Sequence, residues 1–308
     1  MISLLSHLMN GLSLGSVYAI IALGYTMVYG IAKMLNFAHG DVIMIGAYVS
    51  FCVVFYMQLP PVLALVIAMA VCMVLGMVIE RLAYKPLRQA PSLSVLITAI
   101  GVSYLLQNAA QLIWGANTKA FPKMFTLPDG SLFGGNVTVA NNTISLLDGQ
   151  LNISGNTVVT ILTCVVIMLA LMLFINKTKM GKAMRGVSED KGAAELMGIN
   201  VNLTISVTFA IGSALAAVAG ILLCSTYPTL LPTTGAMPGI KAFTAAVFGG
   251  IGSIPGAMVG GILLGIIETL GKAYVSAELG DAFVFAVLII VLLVKPTGLM
   301  GKKIHEKV

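Results

Sequence analysis

Apolar residues run through this chain in long unbroken stretches, with neither strict alternation nor a one-sided stripe. A helix needs roughly 17 to 25 apolar residues to cross a hydrocarbon core. Nine stretches approach or reach that length: 8–29, 42–57, 62–82, 93–113, 157–175, 203–226, 239–252, 256–270 and 282–294. Transmembrane β-barrels alternate polar and apolar residues, and these runs do not, so they predict helices. The expected fold class is all-α: a single domain over 1–308, built as a polytopic transmembrane bundle of about eight to ten spans. The second, seventh and eighth runs are short and interrupted by glycine. Such segments either mark re-entrant or broken helices lining a cavity or are ordinary short tilted helices.

Polar positions gather in two places. The segment 176–202 reads NKTKMGKAMRGVSEDKGAAELMGINVN and carries Lys177, Lys179, Lys182, Arg185 and Lys191, interleaved with Glu189, Asp190 and Glu195. It predicts a short helix from Ser188 to Met197, with Ser188 as cap, Glu189 and Asp190 in the first turn and Gly198 as the stop. Ala193, Ala194, Leu196 and Met197 would give it a small apolar face, which suits a docking element for a soluble partner. The second polar stretch, 114–156, is rich in Asn, Gly, Ser and Thr. Val137 and Val139, then Ile144 and Leu146, flank Asn141-Asn142 and hint at a β-hairpin, with a disordered loop as the alternative. Asn-x-Ser/Thr triplets begin at Asn136, Asn141 and Asn152.

Charge sets the orientation. Arg81, Lys85 and Arg88 crowd one loop, 176–202 holds five basic residues, and Lys295, Lys302, Lys303 and Lys307 crowd the tail. The positive-inside rule places all three in the cytoplasm, leaving 114–156 as a periplasmic loop and, for nine crossings, the N-terminus outside. The first basic residue is Lys33, so the first run is expected to be a retained span rather than a signal peptide.

Composition removes whole function classes. Of 308 residues, 58% are hydrophobic and only 9% charged, with a mean hydropathy of +1.02. The formal charge of +6 lies in short loops, so nucleic acid is not an expected partner; the lipid bilayer is. Cys52, Cys72, Cys164 and Cys224 all fall inside apolar runs without a CxxC pair. No HExxH or P-loop is present, so no catalytic residue, metal or cofactor is expected and any ATP must be hydrolysed by another chain.

Polar groups at membrane depth need a reason, since a charge at the bilayer centre costs about 2.5 to 3.5 kcal/mol on insertion scales. Asn36 and Asp41 are expected to cap helix ends and His39 to pair with Asp41. Thr98, Ser103, Gln107 and Asn108 suit hydrogen bonds between helices or a polar pathway wall. Glu80 is expected at the interface beside Arg81, Lys241 to snorkel, and Glu268 to pair with Lys272 four residues on. Gly212, Ala216 and Gly220, Gly256 and Gly260, and Gly261 and Gly265 form small-residue stripes that let helices approach closely.

Four stretches carry a family resemblance: LGSVYAIIALGYTMVYGI running into MLNFAHGDVIMIGAYVSF (14–31 and 34–51), GKAMRGVSEDKGAAELMGINV (181–201), GIKAFTAAVFGGIGSIPGAMVGGILLGIIE (239–268) and VLLVKPTGLMG (291–301). The chain resembles the permease subunits of bacterial branched-chain amino acid ABC importers, of the LivH type. The resemblance implies an inner-membrane protein that moves leucine, isoleucine or valine. It implies a paralogous permease subunit as heterodimer partner, two cytoplasmic ATP-binding subunits and a periplasmic substrate-binding protein. Relatives that handle urea and short amides keep those substrates open. Importer permeases carry a motif similar to EAAxxxG in their coupling loop; Gly192-Ala193-Ala194 and Gly198 match its spacing, with Gly192 where glutamate would stand. ATPase coupling is therefore assigned to Glu189, Asp190, Gly192, Ala193, Ala194, Glu195 and Gly198. A zwitterion with an aliphatic chain needs polar partners and an apolar wall, and the pathway is sought at Asn36, His39, Gly40, Thr98, Gln107, Lys241, Thr244, Gly249, Gly250 and Gly252. Two rival readings are a self-sufficient secondary transporter, which would need a coupling-ion site, and an intramembrane hydrolase, which would need a Ser-His or paired-Asp arrangement.

Overall fold

The computed structural model describes residues 2–125, 130–132, 137–140, 142–146 and 151–301. Among them are eleven α-helices: α1 (Ile2–Ala32), α2 (His39–Phe55), α3 (Pro61–Ile79), α4 (Ser92–Trp114), α5 (Gly155–Lys177), α6 (Lys179–Glu189), α7 (Lys191–Leu196), α8 (Val201–Thr226), α9 (Ala236–Gly249), α10 (Ile254–Tyr274) and α11 (Gly280–Val294). A π turn (Glu80–Tyr84) and a 3-10 turn (Lys85–Leu87) extend α3. All but α6 and α7 fall on the nine apolar runs, and the all-α membrane bundle holds. Six helices, α1, α3, α4, α5, α8 and α10, are long and apolar enough to cross a membrane; α2 and α11 are shorter apolar helices. The eighth run, expected to be short, is a full 21-residue helix.

Local chemistry sets several starts. Pro61 opens α3, where a missing N–H costs nothing. Asn200 Oδ1 accepts from Leu203 N–H (3.0 Å) to cap α8, and Ser253 Oγ accepts from Gly256 N–H (3.2 Å) to cap α10. Helices α1 and α8 are almost wholly buried, whereas α3, α4 and α5 turn apolar side chains such as Val62, Leu105, Leu112, Leu162 and Leu173 outward. In water such faces would drive aggregation; against lipid tails they are the ordinary surface.

The small-residue stripes are contact surfaces, as expected. A β-carbon at Gly15 of α1 would sit 2.7 Å from Ile262 Cα, and Gly261 and Gly265 of α10 lie as tightly on Ala19 and Gly15. On α8, Gly212 faces Gly24 of α1 and Gly220 faces Ile43 of α2, while Gly256 and Gly260 of α10 abut Gly249 and Ala245 of α9.

Two faces can be told apart. On the first, Arg88 hydrogen-bonds Asn202 and Lys191 Nζ donates to Ala32 O (3.0 Å), which gathers the ends of α1 and α3, the start of α8, and α6–α7. Gly252, beyond the end of α9, lies against Gly30 of α1 on the same face. The basic loops 81–88 and 176–202 thus share one side. On the other, β1 (Lys119–Ala120) pairs antiparallel with β6 (Thr229–Leu230), and Asn156 Nδ2 donates to Ser225 O (2.6 Å). Above that face β2 (Gly130–Leu132), β3 (Val137–Ala140), β4 (Thr143–Leu146) and β5 (Leu151–Ser154) form an antiparallel meander. The expected hairpin is there, pairing Val137 with Leu146 and Val139 with Ile144, and Asn142 turns it with a φ of 62°. Asn152 lies on β5; Asn136, Asn141, Lys302, Lys303 and Lys307 lie outside the described residues.

Candidate functional site

Residues 33–38 double back into the bundle after α1. The imidazole of His39, first residue of α2, lies against Gly24. Gly24 is eight residues inside the end of α1, a depth of about 12 Å at the helical rise. The chain entering α9 dips in from the opposite face, so that Gly235 and Gly239 press on Gly40. Two interrupted helices, α2 and α9, therefore begin side by side within the bundle. The apolar patterning anticipated short segments at both places, and here the broken-helix reading holds.

Around that junction the polar side chains differ from expectation. Neither Asn36 nor Asp41 caps α2; Asn36 Oδ1 accepts from Tyr84 OH (2.8 Å), and Asp41 Oδ1 accepts from Gln107 Nε2 (2.8 Å). His39 does not pair with Asp41. It is buried, its Nε2 has no hydrogen-bond partner, and its ring meets Tyr25 edge-on at 4.7 Å. Phe243 of α9 meets Tyr25 edge-on (5.8 Å) and Phe37 at a tilt (5.2 Å). A small cleft opens from the basic face onto Tyr25, Tyr29, Met34, Asn36, Phe243 and Ile251.

The remaining pathway residues do not converge there. Thr98 and Thr244 spend their hydroxyls on the carbonyls of Ser94 and Ile240 in their own helices. Gly249, Gly250 and Gly252 form the turn from α9 to α10 at the basic face; Gly250 and Gly252 have φ of 105° and 96°, a region suited to glycine. The tail docks on that turn through Leu299 N–H to Phe248 O (2.9 Å) and Met300 N–H to Gly249 O (3.0 Å).

Lys241 does not snorkel. It is buried and pairs with Glu268 Oε1 (2.8 Å) and Asp281 Oδ1 (2.5 Å). The expected Glu268–Lys272 pair is present (2.5 Å), and Tyr18 OH donates to Glu268 Oε2 (2.8 Å). One carboxylate thus ties α1, α9 and α10 together. Beside it, at the face opposite the basic loops, Asn10, Ser13, Thr157, Tyr227, Thr269 and Lys272 line an open cleft. Glu80 is likewise buried, held by Arg88 and by Ser206 Oγ (2.6 Å) instead of lying exposed beside Arg81.

The polar segment 176–202 forms two helices where one was expected. Thr178 Oγ1 accepts from Gly181 N–H (2.9 Å) to start α6, which buries Gly181, Met184 and Val187 and turns Lys182 and Arg185 outward. Ser188 lies inside α6 and donates to Arg185 O (2.7 Å). Asp190 caps α7, accepting from Ala193 N–H (3.0 Å), and Gly198 ends it with a φ of 80°. Of the coupling residues only Ala194 turns inward; Glu189, Asp190, Gly192, Ala193, Glu195 and Gly198 are exposed. Leu196 and Met197 stand out, 90% and 82% exposed on the basic face.

Comparison with known proteins fixes the family. A profile described as "Branched-chain amino acid transport system / permease component" matches residues 7–292. The chain belongs to this permease family. It is 46% identical over 312 residues to the high-affinity branched-chain amino acid transport system permease protein LivH of Escherichia coli K12, covering 99% of this chain and 97% of that protein. The permease protein BraD of Pseudomonas aeruginosa is 44% identical with 99% and 98% covered, and a probable LivH of Methanocaldococcus jannaschii is 30% identical with 92% and 88% covered. Among solved structures, PsaBC from Streptococcus pneumoniae in complex with Fab aligns at a TM-score of 0.49 and 13% identity, too slight a likeness to build on.

The permease is thus a multi-pass membrane protein. Sequence reasoning on this permease missed the partners of its singled-out residues. Tyr25 and Phe243 at the helix junction, Tyr18 on Glu268, and Ser206 on Glu80 look like ordinary span residues. Only the three-dimensional crossing of α1 with α9 and α10 brings them to those groups.

Proposed function

We propose that this chain is the membrane-spanning permease subunit of an ABC importer that carries leucine, isoleucine and valine across the inner membrane. The observation that carries the reading is the full-length match to permeases named for branched-chain amino acid transport. The geometry supports the division of labour it implies. Segment α6–α7 offers Leu196 and Met197 to solvent beside basic residues, the surface a cytoplasmic ATP-binding subunit would grip. A second permease subunit, two such ATPases and a periplasmic binding protein complete the importer. The basic face is then cytoplasmic and the β2–β5 meander periplasmic.

Movement would be delivered at the α2–α9 junction. Two helix N-termini meet there next to Asn36, His39 and Gly40, and half-helix N-termini favour anionic groups such as a substrate carboxylate. Tyr25, Phe37 and Phe243 supply apolar walls for an aliphatic side chain. Rocking α1 and α9 apart would open the passage that these rings close.

The test is uptake of labelled leucine into proteoliposomes holding the permease with its partner subunits and saturated binding protein. Uptake should require ATP, and replacement of 191–198 by a Gly-Ser linker should abolish it. Uptake that survives the replacement, or that proceeds without nucleotide and partners, overturns the proposal. Labelled urea serves as the control solute and should not accumulate.

A further inference from the structure

α1 stays buried to its end. Its last residue is Ala32, and Lys33 leaves the helix with a φ of 59°. The final carbonyls of a helix have no partner within it and carry the negative end of its dipole. Lys191 Nζ donates to the carbonyl of Ala32 at 3.0 Å, across 159 residues of sequence. Lys191 is the first residue of α7. Among the described residues it is the one α7 side chain that hydrogen-bonds a membrane helix, and it makes no ion pair. Burial, with Arg88 and Lys33 nearby, holds its ammonium below the usual lysine range. A cation kept among cations and without a carboxylate is held by the helix end alone.

What lies at the other end of that contact gives it meaning. Eight residues up α1 from Ala32, Gly24 touches the His39 ring, and Tyr25 next to it packs on His39 and Phe243. A helix is stiff along its axis over such a length. Otherwise α7 meets the bundle through buried Ala194, the start of α8 and its neighbour α6, which packs on α1, α5 and α8 by an apolar stripe. That stripe can slide; a charge-assisted hydrogen bond has one geometry.

We propose that Lys191 is the positioning residue that ties the docking helix α7 to α1, so that displacement of α7 by the ATPase is delivered along α1 to the Tyr25–His39–Phe243 closure. This rests on the permease reading above. Lys191 touches neither nucleotide nor substrate; it sets how much of the partner's motion reaches the passage.

The experiment uses the complete reconstituted importer and compares wild type with Lys191→Met, Lys191→Glu and Lys191→Arg. Three quantities are read: co-purification of the ATPase subunits, ATP turnover stimulated by leucine-loaded binding protein, and leucine taken up per ATP. Lys191→Met keeps the stem and removes the charge. It should co-purify normally and hydrolyse ATP within about twofold of wild type, while uptake per ATP falls about tenfold, the worth of one charge-assisted hydrogen bond. Lys191→Glu should fall further, since a carboxylate repels the carbonyl end of α1, and Lys191→Arg should recover most of the ratio. If Lys191→Met lowers co-purification and turnover together with an unchanged ratio, Lys191 only shapes the docking surface and the proposal fails. An unchanged ratio with all activities intact overturns it as well. Wild type that transports nothing under ATP would instead sink the permease reading, so the two failures are distinct.

Discussion

Glu268 offers the sharpest test of the packing argument. It is fully buried, accepts from Lys241 and Lys272 on Oε1 and from Tyr18 on Oε2, and so joins three helices through one side chain. Removing one partner of a buried pair leaves an uncompensated group and costs about 3 to 5 kcal/mol. Glu268→Ala strands the Tyr18 hydroxyl, but Lys241 keeps Asp281 at 2.5 Å, so the lower end, about 3 kcal/mol, is expected. Lys272 and Asp281 are 40% and 47% exposed. Water screens their side of each pair, so Lys272→Ala and Asp281→Asn should each cost under about 1 kcal/mol. The buried free thiols of Cys72, Cys164 and Cys224 provide the assay: their reaction with a thiol-specific dye during denaturant titration of the detergent-purified chain reports unfolding. The expected order is Glu268→Ala far below wild type and the two exposed-partner variants close to it. Equal losses for Glu268→Ala and Lys272→Ala would refute the claim that Glu268 is the buried hub.

Three further outcomes follow from single contacts. Gly15→Leu forces a side chain into the 2.7 Å approach of α1 to Ile262. It should cost at least about 1 to 3 kcal/mol, seen as lost protein in the membrane fraction, while Gly101→Leu, in open space on α4, leaves the yield unchanged. Leu196→Glu with Met197→Glu removes the exposed apolar pair at the end of α7 and should weaken ATPase binding at least about tenfold, measured by co-purification at graded subunit concentration. Asp190→Ala deletes the cap bonded to Ala193 N–H. It should loosen α7 by about 1 kcal/mol, raising hydrogen exchange over 191–196 and leaving the membrane helices as protected as before.

The apolar runs made the bundle legible because a span must be long and oily whatever it packs against. The hairpin was legible for a similar reason: alternation around Asn141-Asn142 is a local signal. What sequence could not supply was lateral position. Lys241 and Glu80 each sit near a helix end, where snorkelling or an interfacial seat is the usual outcome, and only the approach of α10 and α11 to one, and of Arg88 and α8 to the other, makes them buried pairs. His39 and Asp41 are two residues apart, which suggested a pair. On a helix that spacing points side chains apart, so Asp41 turns to Gln107 of α4 and His39 to Tyr25 of α1. Ser188 matched a cap by residue type, but α6 runs on through it because Met184 and Val187 continue an apolar stripe that reaches the bundle.

The arrangement separates what must hold from what must move. Ion pairs and glycine contacts weld α1 to α10 and α9 to α10, where a polar partner lost in lipid would be costly. At the α2–α9 junction the contacts are of another kind: aromatic edges, backbone against backbone at Gly40 and Gly235, and an imidazole nitrogen with no bond to break. Parting those surfaces sacrifices little hydrogen bonding. A passage that opens and closes under the pull of another subunit needs its strong contacts outside the opening and its weak ones across it, and α1 has both, welded to α10 along its outer half and meeting Phe243 of α9 only edge-on at Tyr25.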